Sequence, residues 1–216
     1  MMTPRFDPAD DFTRVTDGLA PVSVMRPGTT FAAPVARALC RAIRTRELQP
    51  SGGRYTAGDV VWYLPAAELP AVAAPGDVLI DEAGRRWTVL DVQQTALKSC
   101  WRCVGRDLAV AHGLDQEITL EKADYCKSPG GAEEVVWRVE RRGVRARIQP
   151  VAAQAAHEHD RQANVARSTV YCEEDIALDH SWRIRGSDGA VYRIVACRKA
   201  QRIDALMEVD VIRDTP

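Results

Sequence analysis

The chain is sparing with cysteine. Its six, Cys40, Cys100, Cys103, Cys126, Cys172 and Cys197, are spread over 216 residues. That is too thin for a secreted disulfide scaffold and predicts reduced thiols in a chain made inside a cell. No apolar run approaches the ~18 residues that a membrane-spanning helix needs. The opening MMTPRFDPADDF carries acids where a secretory signal would carry an apolar stretch. Neither sign of charge dominates: 29 Lys and Arg against 30 Asp and Glu leave a formal net charge of −1. That balance excludes a surface given over wholly to nucleic acid. There is no G-x-S-x-G, no P-loop and no G-x-G-x-x-G, and no pair of acids stands out as an acid/base couple. The expectation is a protein that is not an enzyme and uses no cofactor or metal.

What is present is the material for a buried core: 46% of residues are hydrophobic and 27% charged, ordinary values for a globular protein. The length fits one large domain or two of about a hundred residues each. Repetition favours two. GSDGAVYRIV (Gly186 to Val195) and DEAGRRWTVL (Asp81 to Leu90) are both a tight turn followed by an alternating strand. Aligning Gly84 with Gly189 places Trp87 on Tyr192, Val89 on Ile194 and Leu79 on Ile184. The same offset places Leu39 on Val144 and Ile43 on Ile148. At the start of each half, Val22 and Val24 match Ile118 and Leu120. A further strand follows each hairpin. The domains expected are 1–112 and 113–216, with Ala109 to Glu117 as the linker.

Within each half the hydrophobic period is mostly two. Tyr192 and Ile194 face opposite to Val191, Arg193 and Val195, and Val144, Ala146 and Ile148 opposite to Arg145, Arg147 and Gln149. Short strands separated by Gly, Pro, Asp and Ser clusters predict an all-β fold. It would consist of two small antiparallel β-barrel or sandwich domains related by internal duplication, with little helix. One segment is ambiguous. PVARALCRAIRTREL (Pro34 to Leu48) has helical spacing and helix-forming residues, while the repeat favours strand for its second half. The Ala-rich stretch Pro150 to Ser168 reads as a short surface helix or a loop.

Several residues invite a chemical reading. Cys100 and Cys103 form a C-x-x-C, but three-residue spacing on a strand points the two thiols to opposite sides. No second C-x-x-C completes a zinc site, so buried structural thiols are expected. His157 and His159 in HEHD lack further spaced ligands, and a solvated loop is the better reading. Arg138, Arg141, Arg142, Arg145 and Arg147 crowd into ten residues, with Arg141, Arg145 and Arg147 expected on one strand face. That face is either solvated or turned to an acidic neighbour or to phosphates. The five tryptophans sit beside apolar strand residues, which favours packing over base stacking.

Four segments, in this order, carry a resemblance: VRARIQPVAAQAA (Val144 to Ala156), STVYCEEDI (Ser168 to Ile176), WRIRGSDGAVYRIVA (Trp182 to Ala196) and ALMEVDVIRD (Ala205 to Asp214). Together they resemble the head-closure, or head–tail joining, proteins of the necks of tailed bacteriophages. The first half is similar more loosely, through RELQPSGG, DVVWYL and PGDVLIDEAGRRWTVLDV. Members of that family are usually one small β domain, so a tandem copy is a departure. The resemblance implies a structural virion protein, made in the bacterial host cytoplasm. It would form a ring of copies of itself between portal or adaptor and tail, with packaged double-stranded DNA passing through and no membrane involved. It also implies a loop projecting towards the channel between the second and third strands, here Ala152 to Arg167, with Glu47 to Ala57 as the first-half counterpart. The candidate subunit or DNA-channel contacts are then Arg141, Arg145, Arg147, His157, His159 and Arg161. A nucleic-acid-binding protein with two small barrels in the oligonucleotide-binding style is the alternative.

Overall fold

The structure is a computed structural model that describes residues 18–69, 71–127, 133–151, 167–173 and 176–214. His157, His159, Arg161 and most of the Ala-rich stretch lie outside the described residues. Two units are present: one ends at Ala111 and also takes in Arg202–Asp204, and the other begins at His112. Among the described residues no helix is long and apolar enough to cross a membrane.

The first unit is a closed six-stranded antiparallel barrel. Its strands are β1 (Leu19–Met25), β2 (Ala32–Ala42), β3 (Val60–Pro65), β4 (Val78–Asp81), β5 (Arg86–Gln94) and β6 (Cys100–Arg106). Their order around the barrel is β1-β2-β3-β6-β5-β4. The second unit contains β7 (Gln116–Lys127), β8 (Glu133–Pro150), β9 (Arg167–Cys172), β10 (Trp182–Gly186), β11 (Val191–Arg198) and β12 (Met207–Arg213). They close in the corresponding order, β7-β8-β9-β12-β11-β10. Among the described residues helix is limited to short pieces, including α1 (Thr45–Leu48) and α2 (Leu108–Ala111). The all-β expectation of two small barrels therefore holds.

Equivalence between the barrels extends to single hydrogen bonds. Gly84 N–H donates to the Asp81 carbonyl and Gly189 N–H to the Gly186 carbonyl, while Asp81 and Gly186 N–H donate to Arg85 and Ala190. Both turn glycines have positive φ, 76° and 80°, a region costly for residues with a Cβ. Gly186 is the close approach of the second turn: a Cβ there would lie 2.6 Å from Asp188 Oδ1, so that side chain would have to shift. Past each turn the ladder slips at the same place, between Val89 and Asp91 in β5 and between Ile194 and Ala196 in β11. Such bulges tighten local twist.

Each barrel has its own core. Val22, Val24, Val35, Leu79, Trp87 and Val89 are central to the first, and Ile118, Leu120, Val144, Ile184, Tyr192 and Val209 to the second. Trp87 and Tyr192 occupy equivalent places, opposite Leu79 and Ile184, and both are 7% exposed.

The β2 alignment needs correction. Val22 pairs with Val35 as Ile118 pairs with Val144, and Cys40 meets Trp62 as Ile148 meets Val170. Val35 is therefore the counterpart of Val144, and Cys40 that of Ile148. The β3–β4 and β9–β10 connections differ in length, so an offset fixed at the glycine-turn hairpins slips upstream of them. In the ambiguous segment the strand occupies the first part and stops at Ala42, and α1 follows at Thr45–Leu48. Ladders with β1 and β3 on either side override the helical propensity of residues 34–42. The expected strand in the second half is instead a helical turn, closed by Arg44 N–H donating to Glu47 Oε2.

Candidate functional site

Among the described residues, the strands of the two barrels differ most in length at the β7–β8 hairpin. β1 and β2 are 7 and 11 residues long, whereas β7 and β8 are 12 and 18. β10 follows β7 only as far as Lys122, with one further bond from Ala123 N–H to the Ser181 carbonyl. β9 follows β8 only from Ala146. Among the described residues, the tip from Ala123 to Lys127 and from Glu133 to Trp137 is therefore a two-stranded arm.

A charge cluster holds its base. Glu121 is 5% exposed and accepts from Arg183 Nε, and from Arg185 Nε and Nη2 at 2.9 and 3.2 Å. Burial alone would raise the Glu121 carboxyl, but the hydrogen bonds from Arg185 and Arg183 outweigh it and hold the group below its ordinary value. Arg183 also lies over the Trp137 ring, 4.2 Å from its centroid. On the other side of the arm Lys122 covers Trp182 at 5.5 Å, and Arg138 pairs with Asp124 at 2.6 Å. Glu121 does not stand out in the sequence. The alternating Arg183 and Arg185, both on one face of β10, were the available signal.

The three described candidate arginines do not form one face. Between the pairs Ile118–Val144 and Leu120–Arg141, β8 carries an extra residue, with Gly143 at φ 67°. Arg141 thus falls out of alternation with Arg145 and Arg147. Arg145 donates from Nε and Nη2 to the Leu114 carbonyl at 3.0 and 2.8 Å, and Arg147 from Nη1 to the His112 carbonyl at 2.9 Å. Arg147 also stacks on Tyr171. These two side chains clamp the segment entering β7, where Leu114 is 1% exposed. Arg141 is exposed at the base of the arm.

Cys100 and Cys103 are both buried on β6, and burial pushes the Cys103 thiol up to about 12. A thiol held protonated is a poor nucleophile and a poor metal ligand. Trp62 and Trp87 meet edge to face inside the first core, 6.5 Å apart. With Lys122 and Arg183 over Trp182 and Trp137, four of the five indoles are buried or already covered, which is the packing use the sequence suggested. A cavity of about 400 Å³ opens at the foot of β8 and β9, lined by Pro150, Arg167, Ser168, Asp188, Tyr192 and Arg213 among others.

No family model and no curated protein matches this sequence. The residues themselves therefore carry the functional reading.

The first barrel has a half-buried carboxylate held by arginines as well. Glu47, on α1, accepts from Arg41 Nη1 and Nη2 at 2.8 Å each and from Arg102 Nη2 at 2.9 Å. The hydrogen bonds from Arg41 hold it far below the ordinary carboxylate range, with burial opposing and the Arg44 N–H and Arg102 assisting. A carboxyl depressed on folding contributes stability that is complete above its unfolded value, ~4.3. That stability is lost as pH falls from there towards the folded value. Glu47→Gln is expected to cost on the order of 1–3 kcal/mol at pH 7, by analogy with other broken charge-assisted bonds. The variant should also flatten the fall in melting temperature between about pH 5 and pH 2. Parallel acid melting curves for variant and parent would show that Glu47 gives no pH-dependent support.

Proposed function

We propose that this chain is a structural protein of the neck of a tailed bacteriophage, joining the closed, DNA-filled head to the tail as part of a ring. The observation that supports it most is that the resembling segments, met in order along the sequence, are consecutive elements of one closed barrel: β8, β9, the β10–β11 hairpin and β12. The first half repeats that strand order, which extends the looser resemblance there to the whole domain. On this reading the partners are further copies of the chain and the portal or adaptor and tail proteins. The chemistry asked of the chain is docking: exposed strand edges and loops suit a ring subunit.

Arg145 and Arg147 then keep the β7 entry rigid, and DNA contact falls to exposed cations such as Arg141. Mixing the purified chain with isolated portal rings is expected to give a stoichiometric complex, seen by sedimentation and by electron microscopy as an added ring. A chain that ignores portal rings yet binds single-stranded DNA tightly at physiological salt, with a steep salt dependence, would overturn this in favour of the nucleic-acid-binding alternative. The gene's position gives a second check, since a neck gene is expected between portal or capsid genes and tail genes.

A further inference from the structure

Among the described residues the arm presents an open strand edge, guarded by the charges of Glu133, Glu134 and Arg138 but not by a lysine, a proline, a bulge or a covering segment. Among the described residues no strand pairs with the outer side of β8 from Glu133 to Val139. From Glu133 to Val139, opposite Lys127 to Glu121, the ladder is regular, without bulge, Gly or Pro. Natural edges of this kind are blunted by lysines, prolines, bulges or covering segments, and this stretch reads EEVVWRV. A hairpin two strands wide is marginal by itself. Yet the arm leaves Tyr125 63%, Val135 47%, Val136 45% and Val139 42% exposed.

The order of residues along that edge indicates its occupant. It starts acidic (Glu133, Glu134), is apolar in the middle (Val135, Val136, Trp137) and then turns basic (Arg138). Parallel pairing with an identical strand would set like against like. Antiparallel pairing about a two-fold axis normal to the sheet sets the acidic start against the basic position, and it keeps each residue on its own face of the sheet.

With the axis at Val136, Val136 meets Val136 of the second copy, Val135 meets Trp137, Glu134 meets Arg138, and Glu133 meets Val139. No like charges are opposed. Arg138, already bonded to Asp124, gains a second carboxylate. Cross-strand apolar and opposite-charge pairs of this kind are what stabilise sheets, and the two arms merge into one four-stranded sheet. We infer that the β8 edge from Glu133 to Val139 is a self-recognition surface through which two copies of the free chain pair antiparallel. This does not rest on the neck reading, since it concerns the chain without portal or tail.

The test uses the full chain alone. Sedimentation velocity across the micromolar range is expected to show a reversible monomer–dimer equilibrium. Glu134→Arg sets two cations together at each end of the paired stretch and should weaken association about tenfold. Adding Arg138→Glu reverses both signs and should recover most of that loss, while Arg142→Glu, beyond the regular stretch, should leave association unchanged. A covalent readout covers the case in which a variant folds poorly. In a Cys126→Ala background, Val136→Cys should form a disulfide-linked dimer with oxidised glutathione, and Val195→Cys, an exposed position on β11, should not. A strict monomer, a dimer indifferent to Glu134→Arg, a larger closed oligomer, or equal cross-linking of the two cysteine variants would each overturn the pairing.

Discussion

Tyr192→Asp is expected to unfold the second barrel. Tyr192 lies on β11 opposite Ile184, is 7% exposed and belongs to the core with Ile118, Leu120 and Val209. Truncating a buried aromatic costs about 3–5 kcal/mol through lost burial and the space left behind. A carboxylate in its place adds the penalty of an unpaired buried charge, several kcal/mol more unless it takes up a proton. A small domain has only about 5–15 kcal/mol in total, so the sum exceeds or exhausts the barrel's stability.

Because the first barrel has a separate core, the expected result is partial. Circular dichroism should lose roughly half its strand signal, and limited proteolysis should leave a fragment ending near residue 111. Tyr192→Phe, which keeps the ring, is expected to melt within a few degrees of the parent. A Tyr192→Asp protein that stays folded through residue 214 and melts normally would show that the ring does not sit in the core.

The elements that were legible in sequence are those whose signal is local. The two glycine turns announce themselves because a positive φ restricts the residue choice, and the strand after the second turn alternates: Tyr192 and Ile194 are buried while Arg193 and Val195 are exposed. The strands β1 and β7 could be matched because Val22 and Val24 stand where Ile118 and Leu120 stand. Residues 34–48 failed for the opposite reason. Ala, Leu and Arg favour helix locally, and only the neighbouring strands β1 and β3, brought from either side of the barrel, make residues 32–42 a strand.

The site was less legible than the fold. Arginine crowding near residue 140 is visible in the sequence, but its meaning depends on an extra residue in β8 and on which carbonyls lie nearby. Arg145 and Arg147 are bound to the backbone of residues 112–114, a relation between positions more than thirty residues apart. Glu121 takes its arginines from β10, more than sixty residues away, and Glu47 takes one of its two from β6, so neither stood out among thirty acids. The arm could not be foreseen because the same hairpin in the first half is short, and repetition predicts only what the two copies share.

The duplication itself predicts matched costs. Leu79 and Ile184 are both 0% exposed, and each pairs on one side with an aromatic (Trp87 or Tyr192) and on the other with an aliphatic residue of the first strand of its barrel (Val24 or Leu120). Leu79→Ala and Ile184→Ala each remove a buried aliphatic side chain from a closed barrel wall, where strands paired on both sides resist collapse into the gap. Each is expected to cost about 3–4 kcal/mol, in the middle of the range for such truncations.

In a barrel of about a hundred residues that cost corresponds to a fall of more than about 10 °C in melting temperature. The fall should be confined to the barrel that carries the change. Hydrogen exchange resolved by segment should show faster exchange in residues 19–106 for Leu79→Ala and in residues 116–213 for Ile184→Ala. In the double variant the two losses should add, since residues with no shared partners act independently. A loss in one barrel several-fold larger than in the other would mean that equivalent register does not bring equivalent packing, and that the two copies have diverged in their cores as they have in the β7–β8 arm.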